Sequence, residues 1–314
     1  MQDLPRDPHL YDLLEAFGRE PPPPPPPETL AVDTRDGVTL AVDLHTPVGA
    51  PPRAVAIVAP AMGVRRRFYR PFAGFLAGAG IAALVPDYRG IGDSAPRSLR
   101  GWSAALHDWG DLDLPAVVDA ARARFPGVPL VWIGHSIGGQ LFGLLPEAPI
   151  ARALLVGAQN GHWRNWPGVA RRAAMAALWW AVIPGMTALA GKLPMAAFGQ
   201  GEDLPVGVAR EWARWGRTRD YIAGFARRRG PSGFDRFAGP VRSYAITDDG
   251  YAPPPSVRAL AADFRTARTE VVEVAPAAIG KRRLGHFGAF RPSAQALWAE
   301  WADWLLDAPA PASA

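Results

Sequence analysis

The chain of 314 residues contains no cysteine. This absence excludes disulfides, thiolate nucleophiles and zinc sites with cysteine ligands. It also fits a reducing compartment, and we expect a cytoplasmic location. The first residues lack a basic start followed by an apolar run, so we expect no signal peptide.

Lysine is scarce, and arginine supplies nearly all the positive charge behind the net charge of +5. The arginines form short, scattered runs at 65–67, 171–172 and 227–229. Such runs do not line one predicted helix, which favours a solvated surface over a nucleic-acid interface. We therefore expect no nucleic-acid partner.

Possible metal ligands cluster locally in one place, at His107, Asp108, Asp111 and Asp113. These residues stand where a helix is predicted to start. Helix capping and compensation of the helix dipole explain them better than metal binding. We expect neither a metal nor a cofactor.

One apolar stretch, residues 173–190, approaches the length of a membrane span and follows Arg171 and Arg172. Pro184-Gly185 interrupts it, so we expect two short helices. Their apolar character predicts at most a weak contact with a membrane interface.

Apolar and polar residues alternate at 29–34 and 38–46, on either side of Arg35-Asp36-Gly37, which predicts a β-hairpin. Apolar runs predict further strands at 54–60, 81–86, 129–134, 152–158, 241–247 and 269–275. Helices are predicted among them, at 69–80, 112–125, 254–266 and 293–306. This order predicts an α/β fold with a mixed, mostly parallel sheet and helices on both faces.

Composition divides the chain into three parts. Residues 1–27 form an arm that ends in seven prolines, which predicts a polyproline II spacer. Residues 160–236 break the alternation of strand and helix and hold six of the 12 tryptophans. We expect a helical cap there, inserted into a sheet domain that spans 28–159 and 237–309.

Gly134-His135-Ser136-Ile137-Gly138 matches the pattern G-x-S-x-G. The pattern can arise by chance, but here an apolar strand precedes it and a helix can follow it. A tight turn between strand and helix strains the serine backbone and projects its hydroxyl above the sheet. Ser136 is therefore the candidate nucleophile.

A nucleophilic serine needs a base, and the base needs an orienting acid. Of six histidines, only His286 follows the last predicted strand and precedes the last helix. Asp248 and Asp249 follow the strand at 241–247, where a loop leaves the sheet. His286 is the candidate base, and either aspartate can be its acid.

On these residues the chain resembles the α/β-hydrolase superfamily over about residues 30 to 307. The order serine, acid, histidine is the one that this superfamily uses. Residues 87–94, DYRGIGDS, are similar to its D-x-R-G-x-G-x-S loop, which is mainly structural. More closely, the chain resembles a group of bacterial predicted α/β hydrolases near the serine aminopeptidase and monoacylglycerol-lipase-like branch, through PAMGVRRRFYRPFA, GHSIGGQ, GHWRNWPG and GHFGAFR.

The resemblance implies the remaining site residues. Asp249 begins DGYAP, which is similar to the superfamily pattern D-x-x-[VA]-P, so Asp249 is the expected acid and Asp248 the alternative. Two backbone N–H groups should form the oxyanion hole, one from Ile137 and one from Met62. Many relatives have His-Gly in the second loop, where this chain has Pro60-Ala61. A backbone donor does not depend on that side-chain identity.

Three functions fit these residues, and the first is favoured. It is hydrolysis of a small-molecule carboxylic ester with an apolar acyl or alcohol group. The second is an aminopeptidase or amidase of the prolyl-iminopeptidase type, in which Glu202 and Asp203 would bind the substrate amine. The third is a binding protein that keeps the fold without catalysis. Thioester hydrolysis and acyl transfer would use the same triad, and the sequence does not indicate an oligomeric state.

Overall fold

The computed structural model describes residues 25–145, 149–199 and 201–308. The predicted N-terminal arm lies outside these residues up to position 24. Eight strands form one sheet: β1 Glu28–Asp33, β2 Thr39–His45, β3 Ala54–Ala59, β4 Ile81–Pro86, β5 Leu130–His135, β6 Ile150–Val156, β7 Pro240–Ile246 and β8 Arg268–Val274.

The strands lie in the order β1-β2-β4-β3-β5-β6-β7-β8. β2 pairs antiparallel with β1 and with β4, and every other pair is parallel. The turn at 35–37 joins β1 to β2, and Gly37 there has a φ of 83°, which glycine adopts without strain. The predicted hairpin and fold class are both confirmed.

Twelve α-helices occur among the described residues: α1 Arg70–Gly78, α2 Leu106–Asp108, α3 Leu114–Arg124, α4 Ile137–Leu141, α5 Val169–Ala177, α6 Ile183–Ala190, α7 Val206–Arg217, α8 Tyr221–Arg229, α9 Gly233–Arg236, α10 Pro254–Ala261, α11 Gly285–Gly288 and α12 Gln295–Leu306. Two π-helical turns continue neighbouring helices, Trp109–Asp113 between α2 and α3, and Leu178–Val182 between α5 and α6. Short 3₁₀ turns complete the list: Arg66–Tyr69, Gly92–Ser94, Phe142–Leu144, Trp163–Asn165, Met195–Phe198, Pro276–Ile279 and Pro292–Ala294.

The central strand β3 shows why the sheet is buried on both faces. All six of its residues are buried. Val55, Ile57 and Ala59 pack in one apolar core, while alternate residues pack in a second core on the opposite face. Side chains on a strand alternate between faces, so a continuous apolar run fits a strand covered on both sides.

Helices α5 to α9 follow β6 and precede β7. All five lie within 160–236, the segment predicted as a cap, and α7 packs on α6 and on α2. Trp179 and Trp215 are buried, with at most 3% exposure. The definition of residues 160–236 as a separate cap domain stays a prediction.

The prediction of two separate helices at Pro184-Gly185 was wrong. α5, the π turn and α6 form one helical segment, Val169–Ala190. Pro184 occupies the first turn of α6, directly after the π turn. A proline is tolerated in a first turn because its missing N–H is not needed there.

The DYRGIGDS loop is held by buried ion pairs. The Arg89 guanidinium donates to Asp113 at 2.7 Å, and Asp87 accepts the main-chain N–H of Arg66 at 2.7 Å. Position 92 requires glycine, because a Cβ there would lie 2.3 Å from the Asp87 carboxylate. These contacts fix the loop to the helical turns Arg66–Tyr69 and Trp109–Asp113.

Candidate active site

Ser136 occupies a strained turn between β5 and α4. Its backbone has φ 53° and ψ −117°, in a region that residues with a Cβ rarely adopt. Among the described residues, only Ser136 and Tyr221 combine a positive φ with a side chain. The serine therefore lies in the strained turn between strand and helix that the sequence predicts.

Glycines on both sides of Ser136 allow this turn to close. A Cβ on Gly134 would lie 2.4 Å from the Cα of Gly139. A Cβ on Gly138 would lie 2.1 Å from the main-chain oxygen of Ala59. Both contacts are shorter than any real carbon contact, so the two motif glycines are required by packing.

Asp249 and His286 form a buried pair. Asp249 Oδ2 lies 2.6 Å from His286 Nδ1, and the two residues are 3% and 8% exposed. The other oxygen, Oδ1, accepts the main-chain N–H groups of Tyr251 and Ala252 at 2.8 and 3.0 Å. An ionised carboxylate accepts these bonds and makes Nδ1 the protonated nitrogen, which leaves Nε2 as the basic atom.

Asp248 has a different contact set. Its carboxylate accepts the main-chain N–H groups of Leu284 and Gly285 at 3.0 and 2.9 Å. These residues directly precede His286. The geometry thus pairs Asp249 with the imidazole, while Asp248 holds the loop that carries it.

The main chain brings Ser136 beside this pair. The Ser136 N–H donates to the oxygen of Val156 at 2.9 Å. The next residue, Gly157, approaches the pair so closely that a Cβ there would lie 3.3 Å from Asp249 Oδ2 and from His286 Nδ1. Three strand ends, those of β5, β6 and β7, therefore meet at one place.

Among the described residues, neither Ser136 Oγ nor His286 Nε2 takes part in a hydrogen bond. The structure thus forms the acid–base half of the predicted triad and leaves the serine hydroxyl unbonded. Catalytic hydrogen bonds are often long or unformed without substrate and tighten in the complex.

The two predicted oxyanion donors are available. Ile137 begins α4, so its N–H is one of those that a helix leaves without an internal acceptor. Met62 lies in the loop after β3, and we call residues 60–64 the Met62 loop. Within the described part of the chain, the N–H groups of Met62 and Ile137 donate to no protein atom. Backbone donors in this state can bind a developing oxyanion.

Two functional residues were missed at the sequence level, Tyr69 and His135. His135 Nδ1 lies 2.7 Å from Tyr69 Oη, and its Nε2 lies 2.9 Å from the main-chain oxygen of His286. Tyr69 Oη accepts the N–H of Ala61 at 2.8 Å. The signal that could have identified His135 was its place inside the G-x-S-x-G motif.

The protonation of His135 follows from its surroundings. Burial, reinforced by the nearby charge of His286, lowers the pKa of His135 well below 6.5. The imidazole is therefore neutral. Because Nε2 faces a carbonyl oxygen, Nε2 carries the proton and Nδ1 accepts from the Tyr69 hydroxyl.

A cavity of about 360 Å³ is lined in part by residues that directly follow Met62 and His286 in the sequence. It extends from Gly63, next to Met62, to Phe287, next to His286. Its walls are formed by Gly63, Val64, Arg65, Arg67, Phe68, Gly199, Gly201, Glu202 and Phe287. No tryptophan is among them, so the apolar walls come from valine and phenylalanine side chains.

The two carboxylates considered for amine binding are already paired. Glu202 accepts two hydrogen bonds from the Arg65 guanidinium, at 2.6 and 2.7 Å. Asp203 lies 2.5 Å from Lys192 Nζ and accepts the N–H of Ala196. Their negative charge is compensated within the protein.

The cluster at 107–113 separates into individual contacts. His107 pairs with Glu211 of α7 at 2.8 Å, and Asp113 pairs with Arg89. Asp108 accepts the N–H of Ala105 at 2.7 Å, as a capping residue does. Capping thus accounts for Asp108, while His107 and Asp113 form ion pairs instead. No group of three possible metal ligands occurs among the residues that the structure describes.

The comparisons with known proteins agree with this geometry. Residues 50–197 match the model of the serine aminopeptidase family S33. No curated protein matches the sequence. An esterase domain from Rhodothermus marinus is similar in structure, with a TM-score of 0.56 and 17% identity over 89% of this chain and 98% of that one.

Two further solved structures have the same architecture. An esterase from Butyrivibrio proteoclasticus, solved with ferulic acid bound, has a TM-score of 0.59 and 17% identity over 89% of this chain and 98% of that one. A Pyrococcus furiosus esterase has a TM-score of 0.59 and 16% identity, with 89% and 90% of the two chains covered. These likenesses show the fold.

The sheet order, the strained serine turn and these similarities define an α/β-hydrolase fold. The chain has this fold, and its residues 50–197 are similar to the serine aminopeptidase family S33.

Proposed function

We propose that the protein is a serine hydrolase that cleaves a carboxylic ester through an acyl-enzyme. The observation that carries the proposal is the strained Ser136 turn beside the Asp249–His286 pair. The available N–H groups of Met62 and Ile137 supply the second requirement of acyl transfer, stabilisation of the oxyanion.

In the first half-reaction, Ser136 Oγ attacks the acyl carbon and His286 Nε2 accepts the hydroxyl proton. The carbonyl electron pair moves to its oxygen, which the N–H groups of Met62 and Ile137 bind. The intermediate collapses, the bond to the leaving alkoxide breaks, and His286 protonates that oxygen. An alcohol leaves and Ser136 carries the acyl group.

In the second half-reaction, water replaces the alcohol. His286 Nε2 accepts a proton from the water as its oxygen attacks the acyl carbon. The second tetrahedral intermediate expels Ser136 Oγ, which takes the proton from His286. The carboxylic acid leaves, while Asp249 stabilises the imidazolium each time it forms.

The walls of the cavity support an ester with an apolar group. Val64, Phe68 and Phe287 give it apolar surface, and the rings of Phe68 and Phe287 lie 6.1 Å apart. Apolar walls with a few polar groups are usual for small-molecule sites. The buried tryptophans pack within the helices that follow β6, so selection for an apolar group is assigned to the cavity.

No structural observation favours the aminopeptidase alternative. Binding a substrate ammonium group needs a carboxylate with unsatisfied acceptor capacity. Glu202 and Asp203 are instead compensated by Arg65 and Lys192. Breaking either pair to bind an amine would leave a cation without its partner.

A fluorophosphonate probe tests the nucleophile directly. The native protein should be labelled, and Ser136→Ala should not be. Ser98→Ala is a matched control, because Ser98 lies in an exposed loop and should leave labelling unchanged. An unlabelled native protein would instead support the alternative of a binding protein that keeps the fold.

A substrate panel tests the reaction. We expect turnover of p-nitrophenyl esters across a series of acyl lengths and little turnover of aminoacyl p-nitroanilides. Faster cleavage of the aminoacyl amides than of every ester would overturn the assignment as an esterase.

A further inference from the structure

We propose that the helical segment Val169–Ala190 docks on the surface of an anionic lipid bilayer. This segment, which we call the apolar helix, is long and apolar enough to cross a membrane, yet only 17% of its most apolar window is buried within the protein. A core helix would be covered by its neighbours. The exposed apolar surface of this helix therefore indicates contact with a partner outside the folded chain.

A buried stripe, flanked by the partly buried Met175, Leu178 and Met186, attaches the apolar helix to the protein. Trp179, Ile183 and Thr187, spaced four residues apart, are at most 2% exposed. A Cβ on Gly216 of α7 would meet the Trp179 indole at 2.4 Å, which shows how closely the two helices pack. Three packed turns hold the helix parallel to the protein surface, so it cannot also span a bilayer while the fold is intact.

Apart from Arg171 and Arg172 in its first turn, the surface that the apolar helix exposes is uncharged. The large exposed side chains are Val169 at 83%, Trp180 at 49%, Val182 at 43% and Leu189 at 91%. From 173 to 190, alanines and a glycine fill the other exposed positions, and no charged residue occurs there. A contiguous apolar patch of this kind marks an interaction surface.

Charge selects the partner. Residues 148–201 contain no aspartate and no glutamate, and Arg164, Arg171 and Arg172 lie just before the apolar helix or in its first turn. Arg171 is exposed in the first turn of the helix, where a cation opposes the helix dipole. The stability of the helix therefore does not explain an arginine at position 171, whereas attraction to an anionic lipid surface does.

Aromatic residues lie at the same edge. The rings of Trp163 and Trp180 lie 6.2 Å apart, with the Arg164 guanidinium 4.8 Å from the Trp163 ring and that of Arg217 5.6 Å from the Trp180 ring. Tryptophan prefers the boundary between lipid headgroups and acyl chains, where arginine can bind phosphate. An apolar face bordered by tryptophan and arginine is the pattern of a helix that lies in the membrane interface.

Vesicle sedimentation with the full chain tests this docking. The protein should bind phosphatidylcholine vesicles that contain phosphatidylglycerol, and binding should weaken when phosphatidylglycerol is left out or the salt is raised. Leu189→Asp should weaken binding about ten-fold or more, because its charge would enter the apolar layer. Val48→Asp is the matched control, since Val48 is 80% exposed on the loop between β2 and β3.

The arginine contribution has its own pair of variants. Arg171→Glu should weaken binding to the anionic vesicles about ten-fold or more, while Arg35→Glu in the β-hairpin should leave it unchanged. Ser136→Ala should bind as the native protein does, so a failure of the esterase proposal would not affect this one.

Either of two kinds of result would overturn the docking proposal, one from vesicle binding and one from the oligomeric state. One is equal binding of the Leu189→Asp and Val48→Asp variants, or no binding of the native protein to anionic vesicles. The other is a lipid-free dimer that Leu189→Asp converts to monomer, which would assign the apolar helix to contact with a second copy of the chain.

Discussion

Tyr69 Oη lies 2.7 Å from His135 Nδ1, and this contact joins the Met62 loop to the nucleophile turn. Tyr69 accepts from the N–H of Ala61 and donates to His135, which donates to the main-chain oxygen of His286. The loops that hold a proposed oxyanion donor, the proposed nucleophile and the proposed base thus share one buried chain of hydrogen bonds. A change at its centre should disturb all three.

The first prediction concerns this chain. Tyr69→Phe leaves the Ala61 N–H without its acceptor and His135 Nδ1 without its donor. We expect a loss of about 2 to 4 kcal/mol in the free energy of unfolding and a fall in kcat/KM for a p-nitrophenyl ester. Denaturant titration and ester kinetics measure the two effects.

Tyr88→Phe is the control for this variant. Tyr88 is equally buried, and its hydroxyl donates to the oxygen of Pro60 at 3.2 Å. Removing it leaves one carbonyl unpaired and should cost about 1 kcal/mol. Equal losses in the two variants would contradict a special role of the Tyr69 hydroxyl.

The second prediction separates the adjacent aspartates. Asp249→Asn replaces the acceptor of His286 Nδ1–H and favours the wrong tautomer, so kcat should fall about 10³- to 10⁴-fold with little change in folding. Asp248→Asn weakens the anchoring of Leu284 and Gly285, so it should lower the midpoint of thermal unfolding while kcat falls less than about ten-fold. The reverse order of kcat values would make Asp248 the triad acid.

The third prediction concerns packing at the nucleophile turn. In Gly138→Ala, the new Cβ would lie 2.1 Å from the Ala59 oxygen, which belongs to the buried strand β3. We expect a destabilisation of about 3 kcal/mol or more. Gly78→Ala has open space around its Cβ and lies at a helix end, so it should be neutral or stabilising by up to about 1 kcal/mol. Denaturant midpoints of the two variants check the contrast.

The fourth prediction concerns pH. The hydrogen bond to Glu211 raises the pKa of His107 above 6.5, and the charges of Asp108 and Asp111 add to this effect against the opposing effect of burial. A raised folded-state pKa stabilises the fold fully below the unfolded pKa, and the contribution is lost as pH rises through the folded pKa. The stability advantage of the native protein over His107→Gln should therefore be larger at pH 5.5 than at pH 8.5.

His162 is the control, because its pKa is shifted in the opposite direction to that of His107. Burial lowers its pKa, with smaller contributions from Arg164 and Arg219. Protonation of His162 thus destabilises the folded state as pH falls. The advantage of the native protein over His162→Gln should be smaller at pH 5.5 than at pH 8.5, as measured by denaturant titration, and the same trend in both variants would contradict the assigned pKa directions.

The strands were predicted closely because their signal is local. The run at 54–60 was expected as a strand and forms β3 at Ala54–Ala59, and the run at 241–247 forms β7 at Pro240–Ile246. Apolar runs bounded by glycine and proline carry this information within a few residues. Helix ends were less accurate, as at 254–266, where the helix stops at Ala261.

Pro184 shows where local reasoning fails. A proline usually interrupts a helix, but here a π turn directly precedes it and the helix continues from Val169 to Ala190. No short pattern in the sequence announces a π turn. The exposed apolar helix became visible only when its neighbours were in place.

By itself, the sequence determined the mixed α/β sheet, the hairpin at 35–37 and the strained turn at Ser136, because periodicity, turn residues and motif glycines act between close neighbours in the chain. The tertiary structure decided which aspartate forms a hydrogen bond with His286 and which loops the Tyr69–His135 contact joins. It also decided that Arg65 pairs with Glu202. Residues far apart in the sequence make these contacts. They depend on where the packed sheet brings its loops together.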